Sequence, residues 1–283
     1  MLNVIYLSSI IFGVSIQNIF KRQYSDKTNG KGVWIFSGLV SLFAMLFFVC
    51  SSKNLNFNIS FLPYSIGFAV AYGTATLFSV LAVSCGSLSL TSLFISYSLM
   101  LPTFYGLIFL KDPISKGLIP GIILLVISLV LTNKKSEENK ISFKWIIYVI
   151  LAFVGNGMCS TVQKMQQVAF EGTYKNEFMI IALAIVAIFM ILFSLFTERK
   201  EIKHYVNYGW RLAILSGVVN GAVNLFVMIL SSRMPVSLMF PLISAGGIII
   251  TYLISKFFYK EKLSKTQFIG FIIGIISVVF LNI

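Results

Sequence analysis

The sequence predicts an all-α membrane protein of ten transmembrane helices, folded as two inverted five-helix repeats, residues 1–141 and 142–283. Three observations carry that expectation. Of the 283 residues, 58% are apolar and only 11% charged, with a mean hydropathy of +0.92, whereas a soluble domain carries about a quarter charged residues. The apolar residues fall into ten runs divided by short polar breaks, and a ~30 Å hydrocarbon core asks for about 20 such residues per helix. Finally, the second half of the chain repeats the first.

The runs are approximately 2–20, 33–50, 62–84, 88–110, 117–132, 145–163, 178–196, 210–231, 235–257 and 267–282. The first carries Ser9, Gly13 and Gln17 on one face, with Asn18 beside them. It has no basic segment ahead of it and no cleavage signal, so it is expected to be retained. Trp34 opens the second run, as Trp145 opens the sixth and Trp210 the eighth, which suits rings that anchor at the headgroup level. The third run holds Tyr72 and Thr76. The fourth holds Ser96, Tyr97 and Pro102, whose ring sets a kink that frees backbone carbonyls. The fifth opens on Gly117 and Gly121, and the tenth carries Gly270 and Gly274. Both pairs have the GxxxG spacing that lets helices pack closely, against each other or as a homodimer through a second protomer. The sixth contains Gly155-Asn156-Gly157, then Ser160 and Gln163; the seventh is almost wholly apolar. The eighth shows the clearest polar stripe, Ser216, Asn220 and Asn224 at i, i+4 and i+8. The ninth carries Pro241 and Ser244. No polar break exceeds about 20 residues, which leaves no room for a soluble domain.

Of the 22 Lys and Arg residues, 16 fall in the breaks after odd-numbered runs and 6 in the others. The positive-inside rule therefore puts the odd breaks in the cytoplasm and both termini outside, in a multi-pass protein expected in the cell membrane. Despite a net charge of +13, no basic face is interleaved with aromatics, so nucleic acid is not an expected partner. Three cysteines without regular spacing imply neither a disulfide framework nor a zinc site. The lone His204 lies in a polar break, and no catalytic or nucleotide-binding constellation is present. The chain is expected to be no enzyme and to need no cofactor or metal. Its expected partners are a small-molecule substrate and the lipid bilayer.

Shifting the chain by 149 residues lays 109–133 over 258–282 with ten identities in 25, among them Lys111/Lys260, Gly121/Gly270, Ser128/Ser277 and Asn133/Asn282. A shift of 148 lays 73–96 over 221–244 with eight in 24, and sets Tyr72 and Thr76 over Asn220 and Asn224. A weaker match at 142 sets Gly13 over Gly155 and Arg22 over Lys164. An odd number of helices per repeat inverts the second copy, a plan typical of secondary transporters that bind substrate at the midplane.

The ends of the two repeats resemble the drug/metabolite transporter superfamily, in particular its EamA-type branch. The first reads Pro102, Lys111-Asp112, Ser115 and Gly121; the second reads Pro241, Glu261-Lys262-Leu263-Ser264, Gln267, Gly270 and Gly274. The resemblance implies carriage of small metabolites and a cavity lined by the first, third, fourth, sixth, eighth and ninth helices. It also implies cytoplasmic termini, against the charge count, which is followed here.

Polar side chains within a span tend to face the bundle interior or a wet cavity. The candidate substrate contacts are therefore Asn220, Asn224, Tyr72, Thr76, Asn156, Tyr97, Ser96, Ser244, Gln17 and Asn18, with helix-to-helix hydrogen bonding as their alternative use. Tyr72 and Tyr97 are candidates to cage a cation. All nine acidic residues lie in breaks or at run ends, so no proton-relay carboxylate is expected. The expected function is a secondary transporter of a small neutral, zwitterionic or organic-cation metabolite working by alternating access, by uniport or exchange. A non-transporting binding subunit or a channel on the same bundle is the alternative.

Overall fold

The computed structural model describes residues 2–52, 54–112, 116–132, 142–260 and 264–280. Eleven α-helices are found among them: α1 (Leu2–Thr28), α2 (Val33–Ser51), α3 (Leu62–Cys85), α4 (Leu88–Tyr97), α5 (Met100–Phe109), α6 (Leu118–Thr132), α7 (Phe143–Ala169), α8 (Lys175–Thr197), α9 (Ile202–Ser231), α10 (Val236–Phe258) and α11 (Lys265–Phe280). No strand occurs among the described residues. Seven segments are long and apolar enough to cross a membrane: α1, α2, α3 with the turn before it, the α4–α5 stretch Leu90–Phe109, α7, α8 and α9. The other three runs form shorter apolar helices, α6 with 15 residues, α11 with 16, and the Leu242–Phe258 part of α10. The junction of the expected halves at 141 lies outside the described residues. So do Ser115, Asn133, Glu137, Glu138, Glu261, Lys262, Leu263, Asn282 and the side chain of Pro241.

Several helices depart from the apolar runs: α7 continues to Ala169 and α9 begins at Ile202, and the first and fourth runs differ further. Hydropathy ends the first near residue 20, yet α1 continues to Thr28. Its polar last turns keep helical geometry because they satisfy themselves. Arg22 Nε pairs with Asp26 at 2.9 Å, and the Thr28 hydroxyl donates to the Tyr24 carbonyl at 2.9 Å. Tyr24 stacks on Phe36 and donates its hydroxyl to the Gly32 carbonyl at 2.6 Å. Gly32 itself sits at φ 69, and a Cβ there would strike Tyr205; only glycine fits that turn. The fourth run, expected as one helix, is two. Pro102 has no N–H, and its ring crowds the carbonyl four residues back, at Ser98. The chain tightens there into i→i+3 bonds, Ser98 N to Ile95 O at 3.0 Å and Leu101 N to Ser98 O at 3.0 Å. By contrast, α10 runs helical through position 241.

The bundle carries polar groups inside and apolar groups outside. Ser37, Ser41, Gln163, Gln166 and Gln167 are buried, while Phe196, Phe257, Phe258 and Ile188 are exposed, as expected where lipid rather than water surrounds the protein. One apolar core joins α2, α3 and α8 around Phe36, Phe48, Phe68 and Phe178; a second joins α1, α9 and α10 around Ile10, Val223, Met239 and Phe240. The glycine faces of α6 and α11 meet each other. Ser128 Oγ donates to the Gly270 carbonyl at 2.7 Å, and Ser277 Oγ to the Gly121 carbonyl at 2.7 Å. A Cβ at Gly117 would strike the Phe280 carbonyl, and one at Gly274 the Tyr97 hydroxyl. Within one chain these glycine contacts thus pack the two helices on each other.

One end of the bundle gathers the end of α1, the starts of α2, α4 and α7, and the ends of α8 and α10, through contacts such as Arg22 to Gly86 and Tyr259 to Ile19. The other gathers the ends of α7 and α9 with the starts of α1, α8 and α10, through Lys164 to Ser231 and Arg233 over Tyr6. Of the three tryptophans expected as membrane anchors, Trp145 is not one. It is 3% exposed, packs on Gly86 and Phe94, and donates its ring N–H to Thr91 Oγ1 at 2.9 Å. Trp210 is 43% exposed, with Arg211 over its ring.

Candidate functional site

A cavity of about 150 Å³ lies at the centre of the bundle, walled by α1, α3, α4, α7, α9 and α10, with Val40 of α2 at its edge. These are the six helices that the resemblance implies. The walls approach closely because small residues face the neighbouring backbones. A Cβ at Gly155 of α7 would lie 2.6 Å from Ala75 N and 2.8 Å from Ala71 O of α3. On the opposite wall, Gly13 of α1 faces Val219 and Val223 of α9.

Nine of the ten candidate residues line this cavity: Gln17, Asn18, Tyr72, Thr76, Ser96, Asn156, Asn220, Asn224 and Ser244. Most are joined by hydrogen bonds. Asn220 is the branch point. Its Nδ2 donates to Gln17 Oε1 at 2.8 Å, and its Oδ1 accepts from the Tyr72 hydroxyl at 3.0 Å and from Asn224 Nδ2 at 3.0 Å. Asn224 Oδ1 in turn accepts from Gln163 Nε2 at 2.8 Å. Asn18 Nδ2 donates to Ser92 Oγ at 3.2 Å, Asn156 Nδ2 to Ser98 Oγ at 2.7 Å, and Ser244 Oγ to the Ser96 carbonyl at 2.8 Å. That last carbonyl belongs to the turn around Ser98 where Pro102 interrupts the α4–α5 run.

Tyr97 is the exception. It is 2% exposed and packs with Leu93 and Phe271, away from the cavity, where its hydroxyl meets Ser128 Oγ at 2.8 Å. A residue adjacent to Ser96 lies about 100° further round the helix, which turns Tyr97 toward α6 and α11. Tyr72 lines the cavity, but its ring stacks on Phe68 at 5.5 Å. The expected cation cage of two tyrosine faces is therefore not assembled. Ser216, the first member of the α9 stripe, is buried but lies outside the lining.

The lining also includes residues that the sequence reading did not select as substrate contacts: Lys21, Ser79, Ser92, Cys159, Ser160 and Gln163. Lys21 was within reach of the same periodic argument, since it follows Gly13 and Gln17 at i+4 on the α1 face. Ending the first span at residue 20 removed it. The two cations that the 142-residue shift overlays, Arg22 and Lys164, are engaged elsewhere. Arg22 donates to the carbonyls of Val83 at 3.1 Å and Gly86 at 3.2 Å, and Lys164 to that of Ser231 at 2.8 Å.

Chemically, the site offers amide and hydroxyl groups able to trade bonds among themselves for bonds to a polar guest, one ammonium, and apolar walls from Val14, Ile95, Phe240 and Ile243. A second cleft, of about 700 Å³, opens at the end where α2 starts and α8 finishes, lined by Lys31, Trp34, Glu198, Arg199 and Lys200. None of the candidate residues borders it.

Residues 143–283 match the sequence profile of the EamA-like transporter family. A solved crystal structure, described only as that of a protein, superposes with a TM-score of 0.63 at 11% identity, covering 96% of this chain and 96% of its own. That likeness is one of fold alone. No curated protein matches the sequence.

Proposed function

This chain belongs to the EamA-like transporter family, and on that premise we propose that it is a secondary transporter carrying a small neutral or zwitterionic metabolite by alternating access. The family is one of membrane transporters rather than enzymes, and with its seven long apolar helices the chain is an integral multi-pass membrane protein. In the reading proposed here it crosses the bilayer ten times, as two inverted five-helix repeats meeting at the central cavity.

Support for the repeats comes from contacts that exchange under the shifts read from the sequence. The 149-residue shift turns the bond from Ser128 to Gly270 into the bond from Ser277 to Gly121. Gly13 against Val219 and Val223 has its counterpart in Gly155 against Ala71 and Ala75. The Arg22 bond to Val83 corresponds likewise to the Lys164 bond to Ser231. Moreover, α7 begins at the end of the bundle where α1 finishes.

The observation that carries the function is the junction Gln17–Asn220–Tyr72, extended through Asn224 to Gln163. It ties both halves of the chain together on the cavity wall with neutral, exchangeable hydrogen bonds. Two halves that rock against each other must break and remake such bonds, and a guest offering the same groups lowers that cost. The organic-cation option loses support with Tyr97 outside the cavity and an ammonium inside it. Among the described residues no carboxylate lines the cavity, which supports uniport or exchange.

The test is counterflow into proteoliposomes with labelled amino acids, sugars and nucleosides. Saturable uptake, accelerated by the same compound on the far side, is the expected result. Conductive, non-saturating flux would make the protein a channel. Ligand-induced stabilisation without flux would make it a binding subunit.

A further inference from the structure

Among the described residues, Lys21 is the one charged side chain lining the cavity. The described carboxylates are engaged elsewhere. Asp26 pairs with Arg22, Asp112 accepts from Ser237 N, Glu177 from Asn56 N, and Glu198 from Trp34 N and Ile35 N. Glu201 accepts from the Tyr205 hydroxyl, and Glu171 lies in the turn between α7 and α8. Among the described residues, therefore, no carboxylate faces the Lys21 ammonium. A cation on the wall of a cavity lined by apolar and amide groups is costly unless an anion joins it.

The internal repeat sharpens the point. The 142-residue shift that lays Arg22 over Lys164 lays Lys21 over Gln163, and both line the cavity. Gln163 donates to Asn224 at 2.8 Å. The counterpart of Asn224 under the 148-residue shift is Thr76, a hydroxyl that also lines the cavity, and among the described residues no hydrogen bond joins it to the Lys21 ammonium. Two related walls thus differ in one respect: one ends in a paired amide, the other in an unneutralised ammonium. A guest matching both has an acid group at one end and neutral hydrogen-bonding groups at the other.

We propose that Lys21 holds the acid group of the transported molecule, so that the substrate is a small metabolite bearing a carboxylate. This rests on the carrier reading of the same cavity and extends its substrate class from neutral and zwitterionic molecules to any small guest that bears an acid group. The competing use of Lys21 is as an anchor whose ammonium reaches past the cavity to the membrane surface.

The test places a reporter thiol in the lining. Ser92→Cys, a conservative change at the partner of Asn18, is made in a Cys50→Ser, Cys85→Ser, Cys159→Ser background. It is reacted with an anionic sulfonatoethyl and a cationic trimethylammonioethyl methanethiosulfonate. Relative to a free thiol, the anionic reagent is expected to be favoured about tenfold. Lys21→Gln should abolish that preference and Lys21→Arg retain it. L-lactate should slow labelling in the protein with Lys21, whereas L-lactamide, its uncharged isostere, should not. A preference that persists in Lys21→Gln, or equal effects of lactate and lactamide, would overturn the assignment. Labelling needs no transport. Charge preference without counterflow would therefore defeat the carrier reading alone, and counterflow without charge preference would defeat the role of Lys21 alone.

Discussion

At the scale of single residues, Asn220 matters because three side chains bond to it. Truncating it to alanine leaves Gln17 Oε1 and the Tyr72 hydroxyl without their present partner, while Asn224 Nδ2 keeps its bond to the Asn220 carbonyl at 2.9 Å. Each buried polar group so stranded costs about 1–3 kcal/mol, reduced where cavity water replaces the lost bond. Asn220→Ala should therefore lower the thermal unfolding midpoint in detergent by more than Tyr72→Phe, which removes a single bond worth about 1 kcal/mol. Both should reduce counterflow. The opposite order of the two midpoints would remove Asn220 from its place as the branch point.

Among the elements, α2 shows how a helix end can be completed by a distant residue. Its first turn has no side-chain cap of its own. The Glu198 carboxylate, just past α8, accepts from Trp34 N at 3.1 Å and Ile35 N at 3.0 Å. Negative charge there also complements the positive end of the helix. Glu198→Ala should cost about 1 kcal/mol of stability, as loss of a cap does, and Glu198→Gln less, since its amide oxygen still accepts. Burial pushes the Glu198 carboxyl above its ordinary range. The folded state thus holds this proton more tightly than the unfolded chain does, and the group's contribution to stability falls as pH rises through its titration. The difference in unfolding midpoint between wild type and Glu198→Gln should accordingly shift toward the variant between about pH 4 and pH 7. A constant difference across that range would mean that the carboxyl titrates alike in both states.

For the molecule as a whole, two native thiols report which end faces the cytoplasm. Cys50 and Cys85 are both exposed and lie near the ends of α2 and α3, at opposite ends of the bundle. By the positive-inside rule, the excess of Lys and Arg at the Cys85 end supports the proposal that this end faces the cytoplasm. A membrane-impermeant maleimide applied to intact cells should label Cys50 in a Cys85→Ser protein and spare Cys85 in a Cys50→Ser protein. The reverse pattern would support the cytoplasmic termini that the family resemblance implies.

Membrane residence, the apolar runs and the polar faces of α1, α3, α7 and α9 were determined by the sequence itself, because hydropathy and helical period are local properties of the chain. The same holds for the identities between the two halves, such as Ser128/Ser277 and Gly121/Gly270, which are read without reference to any neighbour. Only the tertiary structure decided where those faces point. It turned Tyr97 into the α6–α11 packing and Ser96 toward the cavity, although they are adjacent, since neighbouring helix positions diverge by about 100°. It kept α1 helical beyond its apolar run, through Arg22–Asp26 and Tyr24–Gly32, and so brought Lys21 into the cavity wall. It also used Trp145 as a packing ring and split the fourth run ahead of Pro102. Each of these outcomes depends on partners far away in the chain, and a window that reads composition cannot contain them.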